Sequence, residues 1–245
     1  MAKGKNAKAT HSGQAKPRSE KSPWQKLTLP ISKRYDKEFL SESFDLPEEV
    51  ESMAIFQDWA SGKLQNQIAS QFWSLYKPKK NQKWLDIGCG ISFLIYPWRD
   101  WNALFYGQDV SPAVNDIVKS RGPQLNSKLF KSIELGGAHD LKHEDNFFDG
   151  VIATGWSSYY DLDYCEQALS EIKRVLAPKG TLLIDVLNPD SEMAEDWAIL
   201  ETYLGAEVML TDVEDWKKLF KTLGGKQIKS QEGPLFNQYL IRFPE

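Results

Sequence analysis

From Lys83 onward the chain alternates between two textures. Short apolar runs ("KWLDI", "ALFYGQD", "SKLFKSI", "FDGVIAT", "TLLIDVL", "KQIKSQE" and "NQYLIRF") read as seven strands. Between them, "SFLIYPW", "PAVNDIVKS", "YCEQALSEIKRVL" and "VEDWKKLFKTLGG" carry apolar residues at helical spacing. Strands that alternate with helices imply right-handed crossover units and a mostly parallel sheet. The last two runs are joined only through "GPLF". A parallel crossover needs a dozen or more residues, so these two are expected to pair antiparallel.

Three regions are expected. Residues 1–22 have no large apolar side chain apart from Met1 and cannot offset the entropy of ordering, so they read as a disordered basic tail. Residues 23–80 read as an N-terminal helical cap. "LPEEVESMAIFQDWA" places Val50, Ala54 and Trp59 at helical spacing, and "KLQNQIASQFWSLYKP" continues the pattern through Leu64, Ile68, Phe72 and Tyr76 until Pro78 stops it. Residues 81–245 form the α/β core.

Charge sharpens this division. The net charge is −4, yet residues 1–34 hold nine basic residues against one acid, leaving 21 of the 30 basic and 33 of the 34 acidic residues to the remainder. An acidic body makes nucleic acid an improbable partner for the core, because phosphates call for a basic stripe. The tail is the segment suited to an anionic partner. Cys89 and Cys165 form neither a disulfide framework nor a ligand-spaced metal site. No apolar run approaches the roughly 18 residues of a membrane span, and no apolar signal segment opens the chain. A cytoplasmic setting is the expectation.

The candidate chemistry lies in "WLDIGCGISFLIYP". A strand running into closely spaced glycines suggests a nucleotide-type ligand at the carboxyl end of the sheet. The dinucleotide fingerprint requires a third glycine where Phe93 stands, and a phosphate-binding P-loop would require Gly-Lys-Ser/Thr. Asp86, two residues before Gly88, would repel a pyrophosphate but suit a cationic amine. Asp109 ends the second strand, where an acid can accept from both hydroxyls of a ribose. A ribose, a positive group and no phosphate together describe S-adenosylmethionine.

The segment from about residue 80 to 245 resembles the class I S-adenosylmethionine-dependent methyltransferases, most closely the group called methyltransferase type 11. The resemblance rests on "WLDIGCG", "GQDVSP", "GGAHDL", "DNFFDGVIAT" and "ALSEIKRVLAPKGTLLIDV" in that order. It implies a Rossmann-like, doubly wound α/β fold: a seven-stranded, mostly parallel sheet with an antiparallel last strand, with the N-terminal helices added. It also implies roles. Asp86, Gly88 and Gly90 would lie under the methionine portion. Asp109 would hold the ribose hydroxyls and Val110 would flank the adenine. Ala138 and His139 would lie beside the adenine, and Thr154 below the sulfonium. The family's usual third glycine is Ser92 here. Its frequent acid before the alanine is Gly137, so either Asp140 substitutes or the adenine amine bonds only to backbone.

The segment "GWSSYYD" follows the fourth strand at the open end of the sheet, so Trp156, Tyr159 and Tyr160 are candidates for a substrate wall. Methyl transfer needs a general base only when the nucleophile keeps its proton. His139, His143, Tyr159 and Tyr160 are the titratable groups in range, and none is singled out as catalytic. The Asn/Asp-Pro-Pro-aromatic loop of enzymes that methylate amide or nucleobase amines is absent, "TGWS" standing there instead. The expected activity is methyl transfer to an O, N or C nucleophile of a small molecule. The competing readings are a non-catalytic S-adenosylmethionine-binding module, or a protein methyltransferase, docking a partner through the basic tail. A nicotinamide oxidoreductase is disfavoured by Phe93.

Overall fold

A computed structural model describes residues 23–126 and 128–244. The expected tail, residues 1–22, lies outside the described residues. Seven strands form one sheet: β1 Lys83–Ile87, β2 Leu104–Asp109, β3 Phe130–Leu135, β4 Phe148–Ala153, β5 Leu176–Leu187, β6 Lys226–Gln231 and β7 Phe236–Arg242. Their order is β3-β2-β1-β4-β5-β7-β6. The first five are mutually parallel, and β7 runs antiparallel to both β5 and β6. Because β1 is central and the chain winds outward from it in both directions, the carboxyl ends of β1 and β4 open onto one crevice.

The helices are α1 Pro23–Phe39, α2 Glu48–Glu51, α3 Ala54–Ala60, α4 Lys63–Ile68, α5 Trp98–Trp101, α6 Pro112–Asn126, α7 Leu162–Val175, α8 Ala194–Leu204 and α9 Val213–Thr222. Local chemistry sets several starts. The Ser111 hydroxyl accepts from the Val114 amide at 3.0 Å, so Ser111 caps α6 and Pro112 takes the first helical position. Asp161 caps α7 by accepting from the Tyr164 amide at 2.8 Å. One face of the sheet packs against α7, α8 and α9 through Leu169, Trp197, Trp216 and Phe220. The other packs against α6 and a ring cluster built on Phe72, Phe93, Trp101 and Phe105.

Two expectations are corrected, and one helix is new. The helix expected at "SFLIYPW" is a single 3-10 turn, Ile91–Leu94, before the one-turn α5. Pro97 stands between them, and its missing N–H prevents a continuous helix. The helix expected from Leu64 to Tyr76 ends at Ile68 and resumes as a 3-10 turn over Phe72–Ser74. Leu64 and Phe72 belong to different core clusters, which one straight helix does not serve, and the Ser70 hydroxyl donates to the buried carboxylate of Asp185 between the two halves. Finally, α8 was not anticipated. It buries Trp197, Leu200 and Leu204 but leaves Ile199 and Tyr203 exposed, so its apolar residues mark no single face.

Candidate functional site

A cavity of about 420 Å³ lies beyond the carboxyl ends of β1, β2 and β4. Gly88, Gly90, Asp109, Val110, Ala138 and Thr154 line it, as do Trp156, Tyr159 and Tyr160. Residues far apart in sequence are thus brought together where the strand ends converge. Gly88 and Gly90 have φ of +64° and +51°, a left-handed backbone that glycine adopts without a Cβ penalty. A Cβ on Gly88 would stand 3.0 Å from the Trp156 Cβ, so the turn after β1 and the turn after β4 press directly on each other.

Asp109 fixes the geometry of this turn. One carboxylate oxygen accepts from the Gly90 amide at 2.9 Å, and the other from the Ser111 amide at 2.9 Å. Burial pushes its carboxyl up to about 6, against the pull of these amides. The Asp36 carboxylate of α1 sits close by, accepting from the Ser111 hydroxyl at 2.6 Å and the Ala113 amide at 3.0 Å. Asp185 does for the β4 turn what Asp109 does for the β1 turn: it accepts from the Gly155 amide at 2.8 Å, and burial raises it likewise to about 6.

Two expected residues stand behind the wall rather than in it. Asp86 is buried one layer below. Desolvation raises its carboxyl well above the ordinary range while a hydrogen bond with Tyr96 opposes the shift, and its Oδ2 has no partner. Tyr96 itself lines the cavity. His139 is half-buried with Nδ1 3.2 Å from the hydroxyl of Tyr164, another wall residue. Of the remaining candidates, His143 packs among Tyr106, Phe147 and Phe148, away from the cavity. Asp140 is exposed and pairs with Lys142, so it does not face the pocket.

The N-terminal cap supplies wall residues that sequence reasoning missed. Ile31, Tyr35, Glu38 and Phe39 of α1 and Gln65 of α4 line the cavity. The signal was present: Ile31, Tyr35 and Phe39 recur at four-residue spacing, one face of a helix. A buried polar network ties this face down. Arg34 donates to both oxygens of Glu201 on α8 at 2.8 and 2.9 Å, and also pairs with Glu38. The Tyr159 hydroxyl donates to Glu201 at 3.1 Å and lies 2.8 Å from the Tyr35 hydroxyl. Burial pushes Tyr35 up to about 12.

The wall fits S-adenosylmethionine. Each oxygen of Asp109 accepts one amide, which leaves lone pairs for two hydroxyls. Val110 and Ala138 offer apolar flanks, and the indole Nε1 of Trp156 is a buried donor without a partner beside the cavity. The cavity volume lies within the range usual for small-molecule sites, roughly 300–1,000 Å³.

Comparison with known proteins agrees. Residues 85–184 match the family model described as a methyltransferase domain. The chain is 34% identical over 112 residues to the ubiquinone/menaquinone biosynthesis C-methyltransferase of Neisseria gonorrhoeae, covering 43% of each chain. It is 31% identical over 102 residues to the demethylmenaquinone methyltransferase of Symbiobacterium thermophilum, covering 40% of each. The match thus spans less than half the length of these curated relatives. In structure it is similar to a SAM-dependent methyltransferase of Aquifex aeolicus, with a TM-score of 0.58 at 14% identity, covering 82% of this chain and all of that one. It is also similar to one from Methanosarcina mazei, with a TM-score of 0.56 at 16% identity, covering 72% of this chain and 99% of that one. Over residues 85–184 the chain is therefore similar to the methyltransferase domain family, and its fold is that of these solved methyltransferases.

Proposed function

We propose that the chain is an S-adenosylmethionine-dependent methyltransferase acting on a small molecule. The carrying observation is that one cavity gathers the two left-handed glycines after β1, the carboxylate ending β2 and the aromatic turn after β4. When bound, the cofactor supplies an electrophilic methyl group whose leaving group is a neutral thioether.

In this reading Asp109 accepts from both ribose hydroxyls while Gly90 and Ser111 hold its rotamer. Gly88 and Gly90 let the ligand approach the backbone closely. Val110 and Ala138 flank the adenine, Thr154 lies near the methyl donor, and Asp86 holds the turn from beneath. Trp156, Tyr159 and Tyr160 form the acceptor wall with the α1 face. These rings exclude water and orient the acceptor, and well-oriented reactants gain roughly 7–11 kcal/mol in favourable cases. No charged base is required for that part of the acceleration.

The curated relatives are named for methylation in ubiquinone and menaquinone biosynthesis, which supports a small-molecule acceptor here. The α1 and α4 side chains wall the cavity without filling it, which favours a catalytic role over a purely binding one. The test is to incubate the chain with S-adenosylmethionine and a cell extract, then search by mass spectrometry for a compound that gains one CH2. Formation of S-adenosylhomocysteine together with such a compound is expected. Cofactor binding without any turnover would replace this reading with the non-catalytic one.

A further inference from the structure

The geometry points to a basic amine as the methyl acceptor, held as its ammonium between Glu38 and the aromatic rings of the cavity. This rests on the reading of the cavity as a joint cofactor and acceptor site. With Gly88, Gly90, Asp109 and Val110 assigned to the cofactor, the rest of the wall is distinctive. It presents the rings of Tyr35, Phe39, Tyr96, Trp156 and Tyr159, and one further carboxylate, Glu38. Among the described residues no lysine, arginine or histidine lines the cavity. An acceptor bearing a carboxylate or phosphate would meet acids and no cation. A neutral phenol would bring no positive charge to Glu38 or to the ring faces.

The Glu38 charge is only partly compensated. Its partner is Arg34, but that guanidinium is already bidentate to Glu201. One guanidinium facing two carboxylates leaves an excess negative charge. The excess falls on Glu38, whose side chain is 25% exposed where that of Glu201 is 5% exposed. Aromatic faces within about 6 Å of a cation add their own attraction. Arg34 already occupies one such position, 4.4 Å from the Tyr35 ring centroid.

The same wall suits the reaction. The bound ammonium gives its proton to the Glu38 carboxylate, which passes it to solvent. The freed nitrogen lone pair forms the N–C bond to the methyl carbon as the C–S bond breaks, with that bond's electron pair going to sulfur. Positive charge leaves sulfur and arrives on nitrogen, where the rings and Glu38 stabilise it.

Recognition is tested without turnover by calorimetry on the full chain saturated with S-adenosylhomocysteine. The probes are benzyltrimethylammonium, benzyl alcohol and benzoate. The ammonium is expected to bind at least about tenfold more tightly than the alcohol, with benzoate not binding. Glu38→Gln is expected to remove roughly tenfold of the ammonium's advantage while the alcohol's affinity stays put. Failure of the ammonium to bind, equal or tighter binding of alcohol or benzoate, or an advantage untouched by Glu38→Gln would each overturn the inference. If S-adenosylhomocysteine itself does not bind, the cofactor reading falls and takes this one with it. Binding of S-adenosylhomocysteine without ammonium preference removes this inference alone.

Discussion

The Arg34 guanidinium and the Glu201 carboxylate meet as a bidentate pair at 2.8 and 2.9 Å, each residue only 4% exposed. The pair joins α1 to α8 across a separation of 167 residues and carries Tyr159 on the same carboxylate. The cap is therefore fastened to the core by charge at the point where both meet the cavity.

Removing one partner of such a pair leaves a buried charge uncompensated, which costs about 3–5 kcal/mol. Arg34→Met leaves the carboxylates of Glu201 and Glu38 without their cation and is expected to cost about 3–5 kcal/mol. Urea unfolding of wild type and variant measures this. A change below about 1 kcal/mol, the range of exposed pairs, would show that the pair behaves as though solvated.

Asp109→Ala is expected to weaken S-adenosylhomocysteine binding by about 2–4 kcal/mol through loss of two charge-assisted bonds. Its effect on the ligand-free fold should be small at neutral pH. The Gly90 and Ser111 amides lose their acceptor, at about 1–3 kcal/mol each, while removing a carboxyl held near 6 recovers about 3 kcal/mol. Calorimetry and thermal melts of the same samples separate the two. Unchanged affinity with a large loss of stability would make Asp109 a purely structural acid.

Asp109 and Asp185 are both raised to about 6 from an ordinary 3.8. Between about pH 4 and 6 the folded chain therefore binds more protons than the unfolded one, so stability rises as pH falls through that window. Glu171 is shifted the other way by Arg174, and its contribution is lost only as pH falls below its ordinary 4.5. Cofactor affinity should follow the opposite course, because a protonated Asp109 is a poorer acceptor for the ribose. Burial lowers His139 and His143 below their ordinary 6.5, which works against this rise at the acid end. The contribution of Asp109 is isolated by comparison with Asp109→Asn: from about pH 7.5 to about pH 5 the wild type should gain melting temperature relative to the variant while its S-adenosylhomocysteine affinity falls. A melting-temperature difference that stays constant over this range would contradict the assignment of Asp109.

Gly88→Ala tests the contact between the two turns. It forces a left-handed φ on a residue with a Cβ, at about 1–2 kcal/mol, and sets that Cβ 3.0 Å from Trp156. A loss of stability of that size or larger, with weakened cofactor binding, is expected in melts and calorimetry. Wild-type behaviour would mean that the turn rearranges freely.

Much of the sheet was legible because most strands are short apolar runs bounded by turn residues, and the "GPLF" join forces the polar, exposed β6 to pair antiparallel with β7. The ends of β1 and β2 were equally readable, since Asp86, Gly88, Gly90 and Asp109 sit at fixed offsets from those runs. The cap was harder. Ser70 breaks a helical pattern to reach Asp185, a partner 115 residues away that no local periodicity announces. Glu201 lies on a helix with apolar residues on several sides, so nothing marked it as buried. The α1 stripe of Ile31, Tyr35 and Phe39 was visible, but its destination in the cavity depends on Arg34 and Asp36 finding partners in the core.

The central claim is that this cavity is an S-adenosylmethionine site, and titration calorimetry of the purified full chain tests it most directly. S-adenosylhomocysteine is expected to bind saturably at a single site, and NAD is expected not to bind. Saturable binding of NAD with no heat from S-adenosylhomocysteine would contradict the account.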